Sequence, residues 1–158
     1  MLVAVNNLQD SVEVGEALEN LTVRVVEEVL RSESPVGGGE PEVSVAFVDD
    51  DYIQNLNREY RGIDKSTDVL AFPMREEEPG GEDDEPFVLL GDVVVSLPAA
   101  VRQAAEYGVG MEFEVARLLV HGTLHLLGYD HIKDEDAAVM RRREELILQR
   151  LGYEVNDE

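Results

Sequence analysis

The 158-residue chain has no cysteine, only two lysines (Lys65 and Lys133) and only three histidines. The absence of cysteine excludes a disulfide scaffold and any thiolate metal site, and it fits a reducing compartment. No run approaches the ~18 consecutive apolar residues of a membrane span. The N-terminal stretch MLVAVNNLQDSVEVGE has no basic segment before an apolar one, so it does not read as a signal peptide. These absences predict a soluble, cytoplasmic protein with no membrane partner. Positive charge is also scarce. Thirteen Lys and Arg face 35 Asp and Glu, a formal net charge of −22. Such a field favours solubility and repels polyanions at long range. What is present is a hydrophobic content of 44%, which is globular rather than disordered. The length suits one domain over residues 1–158.

Periodicity predicts alternating elements. Leu2–Val5 reads as a strand, and Val12–Leu30 as a helix with apolar residues at Ala17, Leu18, Leu21, Val25 and Val29. Residues 32–41 (SESPVGGGEP) form a loop by composition. Val43, Val45 and Phe47 alternate as a strand, and Asp49–Asp51 offers an N-cap for a short helix ending near Tyr60. Thr67–Met74 is a further extended run closed by Pro73. Residues 76–85 carry seven carboxylates around Pro-Gly-Gly and read as a solvated loop. Leu89–Leu97 is a β-branched strand. Helices follow from Pro98 to about Tyr107, from Met111 to Leu127 and from Asp134 to Leu151. About four strands among helices predict an α+β or α/β fold with one small mixed sheet.

All three histidines lie in HGTLHLLGYDH, residues 121–131. His121 and His125 are four apart, one turn on one helical face. Gly128 is a residue that accepts positive φ, so it should end the helix and turn the chain back. That turn can bring His131 up to the other two. Three imidazoles around one point is the donor set of a zinc site that keeps one open position. The preceding helix supports a site there. Glu114, Arg117, His121 and His125 form one polar stripe on an otherwise apolar helix. Buried polar groups need partners or a wet cleft. A lone H-x-x-x-H is a weak signal; the third histidine, in a chain with no other, makes it a strong one.

Gly122 stands where H-E-x-x-H metallopeptidases carry their Glu general base. A peptidase mechanism therefore lacks its base, and the metal must do most of the activation of water. Gly122 itself has two readings, close helix packing or a catalytic need. Asp130 also has two, an orienter of a metal ligand or a turn carboxylate. Arg58, Arg61 and Lys65 concentrate positive charge between a helix and a strand, where a ligand-facing arginine is well placed; pairing with Glu59, Asp64 or Asp68 is the plainer alternative. Arg141–Arg143 read as a helix face paired with Glu144, Glu145 and Asp134–Asp136.

Together, HGTLHLLGYDH and LNREYRGIDKSTDVLAFP resemble two motifs of the YbeY family of bacterial endoribonucleases. LLGDVVVS and the pattern Met140, Glu144, Ile147, Leu148 are also similar, and the likeness covers most of Val43–Gly152. The glycine-rich and acidic loops at 35–41 and 76–86 are its less typical parts. The resemblance implies an α+β fold with a metzincin-like metal helix, and a zinc ion held by His121, His125 and His131. It implies a catalytic role for Arg61, within R-G-x-D, and for His121. It implies a zinc-dependent, single-strand-specific endoribonuclease in rRNA maturation and ribosome quality control, with rRNA and the ribosomal small subunit or an associated protein as partners. The net charge predicts weak intrinsic RNA affinity, so such a partner would supply part of the binding. Two alternatives stand beside this: a metal-dependent hydrolase of a peptide or small ester, and a non-catalytic ribosome-assembly factor with a structural metal.

Overall fold

A computed structural model describes residues 1–33, 40–74 and 87–155. The acidic segment 76–86 and most of the glycine-rich segment 35–41 lie outside the described residues. The elements run β1 (Leu2–Asn7), α1 (Glu16–Glu33), β2 (Glu40–Val48), α2 (Asp50–Arg61), β3 (Val69–Pro73), β4 (Phe87–Ser96), α3 (Leu97–Tyr107), α4 (Met111–Leu126) and α5 (Asp134–Arg150). The fold is α+β, with one four-stranded sheet in the order β1-β2-β4-β3. β1, β2 and β4 are parallel and β3 runs antiparallel beside β4. The sheet is therefore mixed, as the alternation of strands and helices predicts.

The period-2 pattern of the strands sorts side chains onto two faces. Val43, Val45, Phe47, Val93 and Val95 enter the main core with α1 and α4. Val48, Leu70 and Val94 face the other way and pack with Ile53 of α2. The burial of α1 follows one stripe, Leu18, Leu21, Val25, Val29, with Thr22, Val26 and Leu30 alongside. Asp49 caps α2 by accepting from Tyr52 N at 2.8 Å. Ser96 does the same for α3, accepting from Ala99 N at 3.3 Å.

Several boundaries differ from the periodic reading: Ser32 and Glu33 belong to α1, and Glu40 and Pro41 to β2, rather than to a loop, and β4 begins at Phe87. The largest difference is that α1 begins at Glu16, not Val12. Gln9 holds the preceding turn through two bonds to Val12: Nε2 donates to its carbonyl at 2.7 Å and Oε1 accepts from its N–H at 2.9 Å. Val12 and Val14 still pack against the main core, so their spacing reports burial without helix.

Two glycines bring α4 onto the sheet. A Cβ at Gly122 would lie 2.7 Å from Val93 Cγ1 and 3.2 Å from Val69 Cγ2. Close helix packing thus explains Gly122. Gly91 sits at φ +145, where its Cβ would lie 2.3 Å from the Phe72 carbonyl oxygen and 2.8 Å from Leu126 Cδ2. The ladder slips here: Glu42 pairs with Leu89 but Val43 with Gly91, leaving Leu90 as the extra residue of a bulge.

Candidate metal centre

α4 is the central helix, packed against α1, α3, α5, β3 and β4. Val115, Leu118, Leu119, Val120 and Leu124 are buried on its apolar sides. Its polar stripe runs from Glu114, which is fully buried, to His125. Arg117 pairs with one oxygen of Glu114, donating from Nε to Oε1 at 2.7 Å, with its NH2 also paired to that oxygen. Burial opposes the guanidinium charge, but the Glu114 bond and the attraction of Glu114, Asp68 and Glu144 outweigh it and keep the Arg117 pKa raised.

The helix ends as its glycine predicts. Gly128 has φ 98; its N–H donates to His125 O at 3.1 Å and that of Tyr129 to Leu124 O at 3.1 Å, the two bonds of a Schellman cap. Tyr129 then anchors the returning chain. Its hydroxyl donates to Glu33 Oε2 of α1 at 2.6 Å, and Arg143 Nε of α5 donates to Glu33 Oε1 at 2.8 Å. The bond to Glu33 holds the Tyr129 phenol above its ordinary pKa of 10.0. Asp130 acts on the backbone, accepting from His131 N at 2.6 Å and Ile132 N at 3.1 Å. It is a turn carboxylate that sets the direction of His131 and makes no hydrogen bond to an imidazole ring.

The result is a cluster. The ring centroids of His121, His125 and His131 lie 4.9 to 5.4 Å apart, and one ligating atom from each lies within 4.8 Å of the others. His125 Nε2 and His131 Nδ1 are 3.0 Å apart. Two nitrogens each roughly 2.0–2.1 Å from one tetrahedral zinc stand about 3.3 Å apart. The His125–His131 pair already stands near that separation, and a set within 4.8 Å would draw inward around a divalent ion. His131 is exposed while the other two are half-buried, so the cluster faces solvent on one side. His121 Nδ1 lies 2.7 Å from Glu144 Oε1 of α5.

Burial first, then the neighbouring His121 and His131, lower the His125 pKa from 6.5. Chelator-treated protein should therefore lose stability as pH falls below 6.5, because the unfolded chain then binds a proton that the folded His125 resists. The loss is complete once pH passes the lowered folded value. Urea midpoints at pH 7.5 and 5.5 should differ more for wild type than for His125→Asn; equal differences would contradict this origin.

Arg61 is the last residue of α2, exposed, on the helix that covers the other sheet face. Gly62 at φ 70 ends that helix, its N–H donating to Arg58 O. Arg58 pairs loosely with Asp64, 3.9 Å away with both side chains more than half exposed. Arg61 makes no ion pair or side-chain hydrogen bond among the described residues. Arg143 of α5 departs from the expected local pairing and reaches across to Glu33, and Glu144 faces His121. The sequence places Glu144 in a similarity pattern and as a partner of the α5 arginines; its partner in the structure, His121, is 23 positions away.

The family described as "Endoribonuclease YbeY" matches residues 4–152. Proteins with that same name are similar over nearly their whole length. That of Desulforamulus reducens is 56% identical over 154 residues, covering 96% of this chain and 98% of the relative. That of Pelotomaculum thermopropionicum gives the same figures. That of Carboxydothermus hydrogenoformans is 49% identical over 150 residues, covering 95% and 97%. The solution structure of TM1509 from Thermotoga maritima superposes with a TM-score of 0.57 at 26% identity, covering 96% of this chain and 92% of that one.

Proposed function

The chain belongs to the endoribonuclease YbeY family and is an enzyme that hydrolyses RNA; from that premise we propose that it is a zinc-dependent, single-strand-specific endoribonuclease of rRNA maturation and ribosome quality control. In this reading residues 1–158 act as one catalytic domain in the cytoplasm, with the ribosomal small subunit or an associated protein as partner. The observation that carries it is the convergence of His121, His125 and His131, whose ligating atoms lie within 4.8 Å of one another. No helix among the described residues is long and apolar enough to cross a membrane.

His121, His125 and His131 would hold the ion. A bound zinc supplies a Lewis acid and lowers the pKa of water to about 7. The protein's own residues bind and orient. Position 122 offers no general base, because β4 fills the space a side chain would need. That disfavours the peptide-hydrolase alternative and leaves charge stabilisation as the main protein contribution. Arg61 suits that role. It is exposed and unpaired among the described residues, and a planar guanidinium donates two parallel bonds to phosphate oxygens. Charge grows on those oxygens as phosphorus is attacked, and a single such donor is worth about 10²–10³ in rate.

The test is cleavage of a single-stranded rRNA fragment and of casein side by side. RNA should be cut and casein left intact; the reverse would support the peptidase. Arg61→Ala should lower kcat/KM on RNA by about 100-fold, Arg61→Lys should recover only part of it, and Arg58→Ala should do far less. An unchanged Arg61→Ala enzyme would remove Arg61 from the mechanism.

A further inference from the structure

Glu144 has no role in the proposed chemistry, yet its carboxylate lies 2.7 Å from a ring nitrogen of His121. The contact is sheltered: the side chains are 27% and 16% exposed. We infer that Glu144 is a positioning residue that fixes the tautomer and ring orientation of His121 and so presets the metal centre. This rests on the reading of the three histidines as metal ligands.

The argument is one of proton placement. A neutral imidazole carries one N–H and one lone pair. A carboxylate accepts only, so the nitrogen facing Glu144 must be the protonated one. That assigns the proton to Nδ1 and leaves the Nε2 lone pair for an ion. The ring cannot flip without breaking a charge-assisted bond. Among the described residues no carboxylate bonds to either of the other two rings: His125 Nε2 and His131 Nδ1 face each other, and the bonds of Asp130 go to backbone N–H groups. His121 is the ligand whose geometry is set in advance.

The surroundings keep Glu144 in place. Met140, Ile147 and Leu148 bury the same side of α5 in the main core, which fixes the helix rotation that points Glu144 at α4. Arg143, the preceding residue, is anchored to Glu33. On α4 the Arg117 guanidinium, one turn before His121, attracts the Glu144 carboxylate. Glu114, 1% exposed in its side chain, clamps that arginine. Glu114, Arg117 and Glu144 alternate in charge from the buried end of the stripe towards the neutral ring of His121.

The test reads metal affinity and proton position, neither of which depends on RNA cleavage. Zinc affinity is measured by competition with a chromophoric chelator, and the His121 tautomer by ¹⁵N chemical shifts in metal-free protein. Wild type should show His121 protonated at Nδ1. Glu144→Ala should bind zinc about 10- to 100-fold more weakly. Glu144→Gln keeps an accepting oxygen and the side-chain volume, so it should fold and recover part of the loss. Equal zinc affinity in wild type and both variants overturns the inference while leaving the metal centre standing. A wild-type His121 protonated at Nε2 also overturns it. A protein that shows the zinc losses but cuts no RNA would instead sink the proposed function and leave Glu144 its role.

Discussion

Stripping the metal from the protein, or replacing His125 with alanine, should lower RNA cleavage on the order of 10³-fold or more. The size follows from what is removed. A bound divalent ion contributes several kcal/mol of charge stabilisation, and each 1.36 kcal/mol is a factor of ten in rate. Gly122 has no side chain, Glu144 is engaged with His121, and Asp130 Oδ1 already accepts from two backbone N–H groups. His125 is the most consequential of the three, since its Nε2 is 3.0 Å from His131 Nδ1 and its ring is 4.9 Å from that of His121. The assay compares initial rates on one RNA before and after chelation. Returning zinc should restore wild type and leave His125→Ala inactive. Metal-free protein that cleaves at the wild-type rate would end the metal assignment. Circular dichroism at the assay temperature confirms that the variant is folded.

Gly91→Ala should be the most destabilising small substitution in the sheet, by about 2–6 kcal/mol against a total of ~5–15 kcal/mol. Two costs add. Positive φ at +145 is a conformation that only glycine adopts freely, and such strain costs about 1–3 kcal/mol. The new methyl would also lie 2.3 Å from the Phe72 carbonyl oxygen and 2.9 Å from Pro73 Cα. Both are backbone atoms of β3 that cannot swing away, and overpacking of this kind costs about 1–3 kcal/mol. Urea unfolding should show a lowered midpoint at unchanged m-value. A midpoint within error of wild type would mean that β3 and the bulge at Leu90 are not paired as described. The site should suffer too, because Gly91 admits Leu126, the neighbour of His125, to within 2.8 Å of that Cβ position.

The contrast between these positions shows what was legible in the chain. The histidine cluster could be read because its geometry is local. One helical turn joins His121 to His125, and a single glycine cap returns His131, all within eleven residues. The N-cap Asp49 and the two-faced strands were legible for the same reason, since periodicity and capping are short-range. Glu144 was not, because its partner depends on how α5 rotates against α4. Arg143 was misassigned to neighbours on its own helix, when its carboxylate, Glu33, lies 110 positions away. Gly91 looked like any strand glycine until the register slip beside it was seen. The start of α1 was missed because Val12 and Val14 are core residues held by a Gln9 turn, a side-chain device that apolar spacing does not encode.

The metal centre is tested most directly by the zinc-edge X-ray absorption spectrum of protein loaded with one equivalent of zinc. Three imidazoles at roughly 2.0–2.1 Å, falling to two in His131→Ala, are the expected result. A wild-type spectrum with one imidazole or none, or one that His131→Ala leaves unchanged, would contradict a single ion shared by the three rings.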